Sequence, residues 1–258
     1  MAALFGLRFG AEWWSPPRAA HPGPEIAVAT WNLEAGERAG ADAVAMLLAH
    51  PVDLVALQEL TPAIANALES DPTLAARYPY RALSPSDGVA GIGLLSTYPI
   101  LSSDSMQQPV RLEARLQLAD GELVVLGAHP FAARIARLAG IPSGFDPTER
   151  NAELDLIRAR VAELEAMGAR VLLIGDFNAA PTEPAFGRLT NGLHDAHAEA
   201  GLGPGWTWRP ARFAFLGIGL LRIDLVLSTS GIRPTRTSID CPSAGDHCLV
   251  EASLALGS

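Results

Sequence analysis

A chain of 258 residues that is 49% apolar, only 18% charged and carries a net charge of -9 is neither an intrinsically disordered tail nor a protein built to track long duplex nucleic acid. All 19 basic residues are arginines and they are scattered, so no basic stripe exists to neutralise successive phosphates. The length fits one large domain or two small ones. No apolar run is long enough to span a membrane, and "MAALFGL" is too short for a signal-peptide core. The default expectation is a soluble cytoplasmic chain; the alternative is an extracytoplasmic domain of a membrane-tethered protein. Cys241 and Cys248 match no zinc or redox spacing and are expected as two free thiols, a small disulfide between them requiring an oxidising compartment.

Residues 1–25, with "WWSPPRAAHPGPE", have no hydrophobic period and read as an irregular arm; residues 26–258 read as a single domain. "EIAVATWNL" predicts a strand, "AGADAVAMLLAH" a helix, and "VDLVALQEL" a second strand. Thr61 as N-cap and Pro62 at the first helical position open the next helix. A strand-rich stretch follows, in which Val110, Leu112, Ala114, Leu116 and Leu118 alternate with polar residues, and Asp120-Gly121 marks a hairpin. Leu154, Ile157, Val161 and Leu164 recur at helical spacing over 148–167. "VLLIGD" is the next strand, then a short helix, a glycine-rich loop around "GLGPGWTW", and strands in "RIDLVLS", "IRPTRTSID" and "LVEASLAL". Hairpins mixed with helix-separated strands imply mixed sheets with helices outside. Two halves of similar layout, about 26–125 and 126–258, suggest two packed sheets.

Polar residues of catalytic type interrupt these apolar strands at their ends or within them. Asn32 follows "AVATW", Glu59 follows "DLVALQ", and His129 follows "VVLGA". Asp176 and Asn178 follow "VLLIG", Asp224 lies within "RIDLVL", and Asp246-His247 precede the last strand. Hard oxygen ligands without cysteine suit magnesium or manganese better than zinc, with Glu59 as the direct ligand. A divalent ion, two histidines and an activated water together point to hydrolysis at phosphorus. Asp176 and Asn178 would share one side of an extended chain and face one water.

In this order, "TWNL", "LQEL", "GIGLLSTYPI", "GAHP", "LLIGDFNAAP", "RIDLVL" and "GDH" resemble the motifs of the endonuclease/exonuclease/phosphatase family, over residues from about 26 to the C-terminus. The resemblance implies a four-layered α-β-β-α sandwich of the DNase I-like kind, two mixed sheets face to face with helices outside. It implies Mg2+ or Mn2+ bound by Glu59 with Asn32 and Asp246 nearby, and Asp176, helped by Asn178, acting on the attacking water. His247, held by Asp224, would contact the phosphoryl oxygens, and His129 would donate a hydrogen bond from the other side. Gly245 stands where the family usually has serine and Leu249 where it has proline, changes that would loosen the loop presenting His247.

The expected substrate is a phosphate ester or diester, small or lipid-linked; a DNA or RNA nuclease of the same fold and a non-catalytic binding module are the alternatives. Arg150 is a candidate for binding substrate phosphate, with an ion pair on the helix surface as the competing reading. Trp206 and Trp208 are divided between core and rim. The apolar segments "HPFAARIARLAGIPSGFDP" and "RPARFAFLGIGLL" flank the proposed rim and are less polar than a nucleic-acid groove. The spacing of "HP", "RNAEL", "GDFN" and "RID" is similar to a bacterial branch with membrane-associated lipid-phosphate hydrolases, so a membrane or lipid substrate is a further expectation.

Overall fold

The computed structural model describes residues 23–36, 38–138 and 141–257, so nearly all of the predicted N-terminal arm lies outside the described residues. Among the described residues, fourteen strands form two six-stranded sheets and one hairpin. The first sheet runs β13-β14-β1-β2-β4-β3, from β1 (Glu25–Asn32), β2 (Leu54–Gln58), β3 (Tyr80–Ser84), β4 (Ile92–Ser96), β13 (Ile232–Asp240) and β14 (Leu249–Leu256). The second runs β11-β12-β10-β7-β6-β5, from β5 (Ile100–Gln107), β6 (Val110–Leu118), β7 (Gly121–Ala128), β10 (Val171–Asp176), β11 (His194–Asp195) and β12 (Asp224–Ser228). The expected division into two halves is thus corrected: β14 returns to pair with β1 and β13 pairs with β14, so the first sheet draws on both ends of the chain. Residues 134–146, for which the sequence predicts no strand, form the hairpin of β8 (Arg134–Leu138) and β9 (Ile141–Asp146).

Alternation within the strands explains the layers. Ile26 and Val28 of β1, Leu172 and Ile174 of β10, and Val226 of β12 are buried between the sheets. The intervening Ala29 and Trp31 pack with Leu47, Ile64 and Leu68 of α1 (Gly40–Ala49) and α2 (Pro62–Ser70). Leu173 packs with Leu154, Ile157 and Val161 of α4 (Thr148–Ala166), which follows the short α3 (Pro72–Arg77). Strands buried on both faces lose the polar alternation of a half-exposed sheet, which is why "LVALQ" and "VLLIGD" read as continuous apolar runs. The result is the α-β-β-α sandwich, with α5 (Pro184–Thr190) completing the second helical side and α6 (Ala196–Ala200) packing through Ala196 against β12 and β13 at the edge of the two sheets. Thr61 caps α2 as expected, accepting from the Ile64 N–H at 3.4 Å.

Each sheet is antiparallel except for one central parallel pair, β1 with β2 and β7 with β10. In the first pair Asn32 lies opposite Gln58; in the second Gly175 lies opposite Ala128. The carboxyl ends of both pairs therefore deliver Asn32, Glu59, His129 and Asp176 to one end of the sandwich. No helix among the described residues is long and apolar enough to cross a membrane.

Candidate active site

Asn32 joins the two sheets. Its Nδ2 donates to Glu59 Oε1 and to Asp176 Oδ2, each at 3.1 Å, the latter across 144 positions of sequence. Its Oδ1 accepts from the Glu34 N–H at 2.9 Å, which leaves the amide no freedom to flip. Asp176 and Asp224 are directly opposed partners of β10 and β12, so both carboxylates point between the sheets. Asp176 Oδ2 lies 3.6 Å from Nε2 of both His129 and His247. Both oxygens of Asp224 lie 3.1 Å from His247 Nδ1 and orient that ring.

Among the described residues, the non-glycine residues with positive φ are Glu34, Ala35, Glu59 and Asn178, all at this end of the fold. A left-handed conformation costs a non-glycine residue of order 1 kcal/mol or more, and such residues gather where geometry matters more than ease. At Glu59 (φ 53) the turn lifts the carboxylate off β2 into the cleft. At Asn178 (φ 51) it corrects an expectation, since the chain does not stay extended beyond Asp176. The Asn178 N–H donates to Asp176 Oδ1 at 2.9 Å while its side-chain amide donates to the Pro130 carbonyl at 3.0 Å. Asn178 thus braces Asp176 and the turn after His129.

Arg150 also departs from expectation. Its side chain is 1% exposed, pairs with Glu183, and donates to the Asn178 carbonyl at 2.7 Å. A guanidinium sealed beneath the Asp176 turn has no surface to offer a substrate, and it acts through Asn178. Replacing Arg150 with methionine should destabilise the fold by about 2–4 kcal/mol, because Glu183 loses its partner in a largely buried place. Chemical denaturation measures this, and a midpoint equal to that of the parent protein would refute the structural role.

The tryptophans are not divided between core and rim: both are half-buried. Trp208 Nε1 donates to Asp246 Oδ2 at 3.2 Å, and its backbone bridges His247. Thr207, which sequence reading missed, is buried; its hydroxyl accepts from the Ile223 and Asp224 N–H groups at 3.1 Å. The "GWTW" segment therefore holds the aspartates on either side of His247, a role no local sequence signal announces.

Contrary to expectation, Cys241 and Cys248 form a disulfide, which closes the segment carrying Asp246 and His247. Gly245 does not loosen that loop. It has φ 92, and a Cβ there would collide with the Glu34 carboxylate and the Arg38 guanidinium, which pair with each other. Leu249 is wholly buried against the helical layer beside Trp31. Glu34, Arg38 and Asp42, unnoticed in the sequence, line the cleft of about 430 Å³ together with Glu59, Asp246 and His247.

Burial pushes the Asp176 carboxyl up to about 7, with the nearby Asp224 charge adding to the effect against His247 and the Asn178 N–H. Burial alone would lower His247, but the Asp224, Asp176 and Asp246 carboxylates outweigh it and push the imidazole up to about 10. Burial lowers His129. A carbonyl can only accept, so the 3.0 Å contact with Val89 O places the proton on His129 Nδ1. The neutral ring then presents a lone pair at Nε2, and the expected donation to phosphate would require the imidazolium. Glu59 and Asp246 are both raised, chiefly by burial.

The residues fit a hard divalent cation. Asp246 Oδ1 is buried without any hydrogen-bond partner, and Glu59 lines the same cleft. Half-buried acids with raised pKa values and an orphaned oxygen form a set short of positive charge. Asp176, Asp224 and His247 also bring ligand atoms within 4.8 Å of one another. In that trio, however, His247 Nδ1 is already taken up by Asp224, so the Glu59 and Asp246 side suits a cation better.

Residues 29–247 match the model of the endonuclease/exonuclease/phosphatase family. The chain belongs to that family. It is accordingly a hydrolase of the phosphoester-cleaving class. Solved structures share the fold at low identity. TDP2 of D. rerio complexed with a single-strand DNA product is 17% identical, with a TM-score of 0.68 over 89% of this chain and 98% of that one. A functionally unknown conserved protein from Enterococcus faecalis is 17% identical, with a TM-score of 0.69 over 90% of this chain and 100% of that one. Sphingomyelinase C from Streptomyces griseocarneus is 17% identical, with a TM-score of 0.61 over 89% of this chain and 99% of that one. Curated protein sequences yield no significant match.

Proposed function

We propose that this family member hydrolyses a small or lipid-linked phosphate ester or diester by direct attack of water, with Mg2+ or Mn2+ held by Glu59 and assisted by Asn32 and Asp246. The observation that carries the reading is the position of Asp176 Oδ2, 3.6 Å from Nε2 of two histidines of opposite protonation tendency. A carboxylate with a pKa of about 7 is matched to accepting a proton from water at neutral pH. Neutral His129 offers its Nε2 lone pair to the same water and orients it. His247, charged below about pH 10, donates its Nε2 proton to a phosphoryl oxygen while Asp224 holds the ring. When bound, the cation would neutralise charge on the phosphoryl group and polarise phosphorus.

The cleft lining supports a compact substrate. Four acids, Glu34, Asp42, Glu59 and Asp246, face Arg38 there, and a polyanionic strand would meet repulsion beyond the metal. The disulfide supports an oxidising compartment, the second of the two expected locations. The test is hydrolysis by purified protein, with magnesium or manganese, of bis-p-nitrophenyl phosphate, inositol phosphates, sphingomyelin, prenyl pyrophosphates and plasmid DNA. Turnover of DNA in preference to the small and lipid esters would favour the nuclease alternative. Glu59→Gln should raise the magnesium concentration for half-maximal rate by about tenfold or more. An unchanged magnesium requirement would remove Glu59 from the metal site.

A further inference from the structure

The arm between Trp208 and Arg222 carries a concentration of exposed apolar surface. Phe215 is 77% exposed, and Leu216, Ile218, Leu220 and Leu221 are also exposed. They account for five of the fifteen exposed large hydrophobic residues among the described residues, within a stretch of seven. The 3-10 turn Ala211–Leu216 ends in the left-handed Gly217, so the chain doubles back and the side chains project outward rather than forming a helix face that could fold onto the core. Single exposed apolar residues are ordinary; a contiguous group of this kind marks a surface made to be covered.

What covers it is constrained by where it lies. Ala211, at the base of the turn, lines the catalytic cleft together with Glu59, Asp246 and His247. The same arm is anchored to the site by Trp208, whose Nε1 bonds Asp246. A partner seated on this arm therefore sits at the mouth of the cleft, and an ordinary protein partner there would obstruct substrate entry. The exception is an assembly that itself carries the substrate. Charge agrees with this: residues 200–223 contain no acid in a chain of net charge -9, and the arm's Arg212 is exposed and lies over the Phe213 ring at 4.8 Å. An arginine among exposed aliphatic and aromatic side chains suits a headgroup layer over hydrocarbon.

A second exposed apolar pair lies on the β8–β9 hairpin. Ile135 and Phe145 are cross-strand partners of the β8–β9 hairpin and are both more than half exposed. Phe145 lies 5.7 Å from the guanidinium of Arg150, the residue that braces Asn178.

We propose that residues 211–221 are an interfacial docking arm that seats the catalytic cleft on a phosphate-bearing lipid surface. This rests on the phosphoesterase reading and narrows its substrate to an ester presented in a lipid surface. The experiment compares the full chain with a Phe215→Ser/Leu216→Ser/Ile218→Ser variant. Sedimentation with vesicles of phosphatidylcholine containing phosphatidylglycerol measures docking, and magnesium-dependent hydrolysis of bis-p-nitrophenyl phosphate measures catalysis in solution. The parent protein should sediment with the vesicles and the variant should bind on the order of tenfold or more weakly, while solution hydrolysis stays equal in the two. Failure of the parent protein to bind, or equal binding by both proteins, would overturn the docking arm. Should the variant lose solution hydrolysis in parallel with binding, the arm would be structural and the proposal would likewise fall. Absence of solution hydrolysis in the parent protein would instead count against the phosphoesterase reading, while sedimentation would still decide docking.

Discussion

Asp176→Asn should lower kcat by about two to four orders of magnitude while leaving the fold intact. The asparagine has the shape of the aspartate, and its oxygen can still accept the Asn178 N–H that Oδ1 accepts at 2.9 Å, while its amide nitrogen, at the Oδ2 position, gives up the bond from Asn32 Nδ2. It cannot take a proton from water. Because Asp176 is sealed beneath the cleft, no bulk solvent can substitute for it cheaply, and burial lowers the basicity of the neighbouring His129 Nε2. Steady-state rates at saturating magnesium, beside a thermal melt, decide the matter; a variant with parental kcat would refute the general-base assignment.

Asp224→Asn should reduce kcat by about two to three orders of magnitude through His247. Asp224 both orients the imidazole through Nδ1 and leads the carboxylates that raise its pKa. Loss of that charge should also move the alkaline fall in activity to lower pH, since less of the imidazolium survives. The stability consequence has a definite sign. A histidine raised from 6.5 to about 10 on folding contributes stability that is fully present below about pH 6.5 and lost as pH rises through about 10. The variant should therefore be most destabilised relative to its parent below pH 6.5, and the gap should close above pH 10. A gap that widened with rising pH, or an alkaline limb that stayed in place, would show that Asp224 does not control the charge on His247.

The two predictions probe one device: carboxylates placed in low dielectric at the joint of two sheets. Asp176 is driven toward neutrality by the same burial that His247 resists only because three acids face it. Opposed shifts in adjacent groups are a recognised sign of acid–base work. The Asn32 amide, bonded to both Glu59 and Asp176, links the proposed metal position to the proposed base without contributing charge.

The sequence alone determined the kinds of element, the polar residues at strand ends and, through their order, the family. These were legible because each depends on local spacing: period-two and helical hydrophobic patterns, Thr61 before Pro62, and acids that end apolar runs. The tertiary structure alone decided what those residues touch. Asn178 turns away from its extended path because its backbone adopts φ 51, and Arg150 disappears beneath it to meet Glu183, 33 positions later. Thr207, Trp208 and the Cys241–Cys248 bond gain their purpose only when the final strand returns to β1 and brings their loop over the cleft. Contacts of this kind join residues tens to hundreds of positions apart, and hydrophobic periodicity carries no information about which distant loop closes over which strand end.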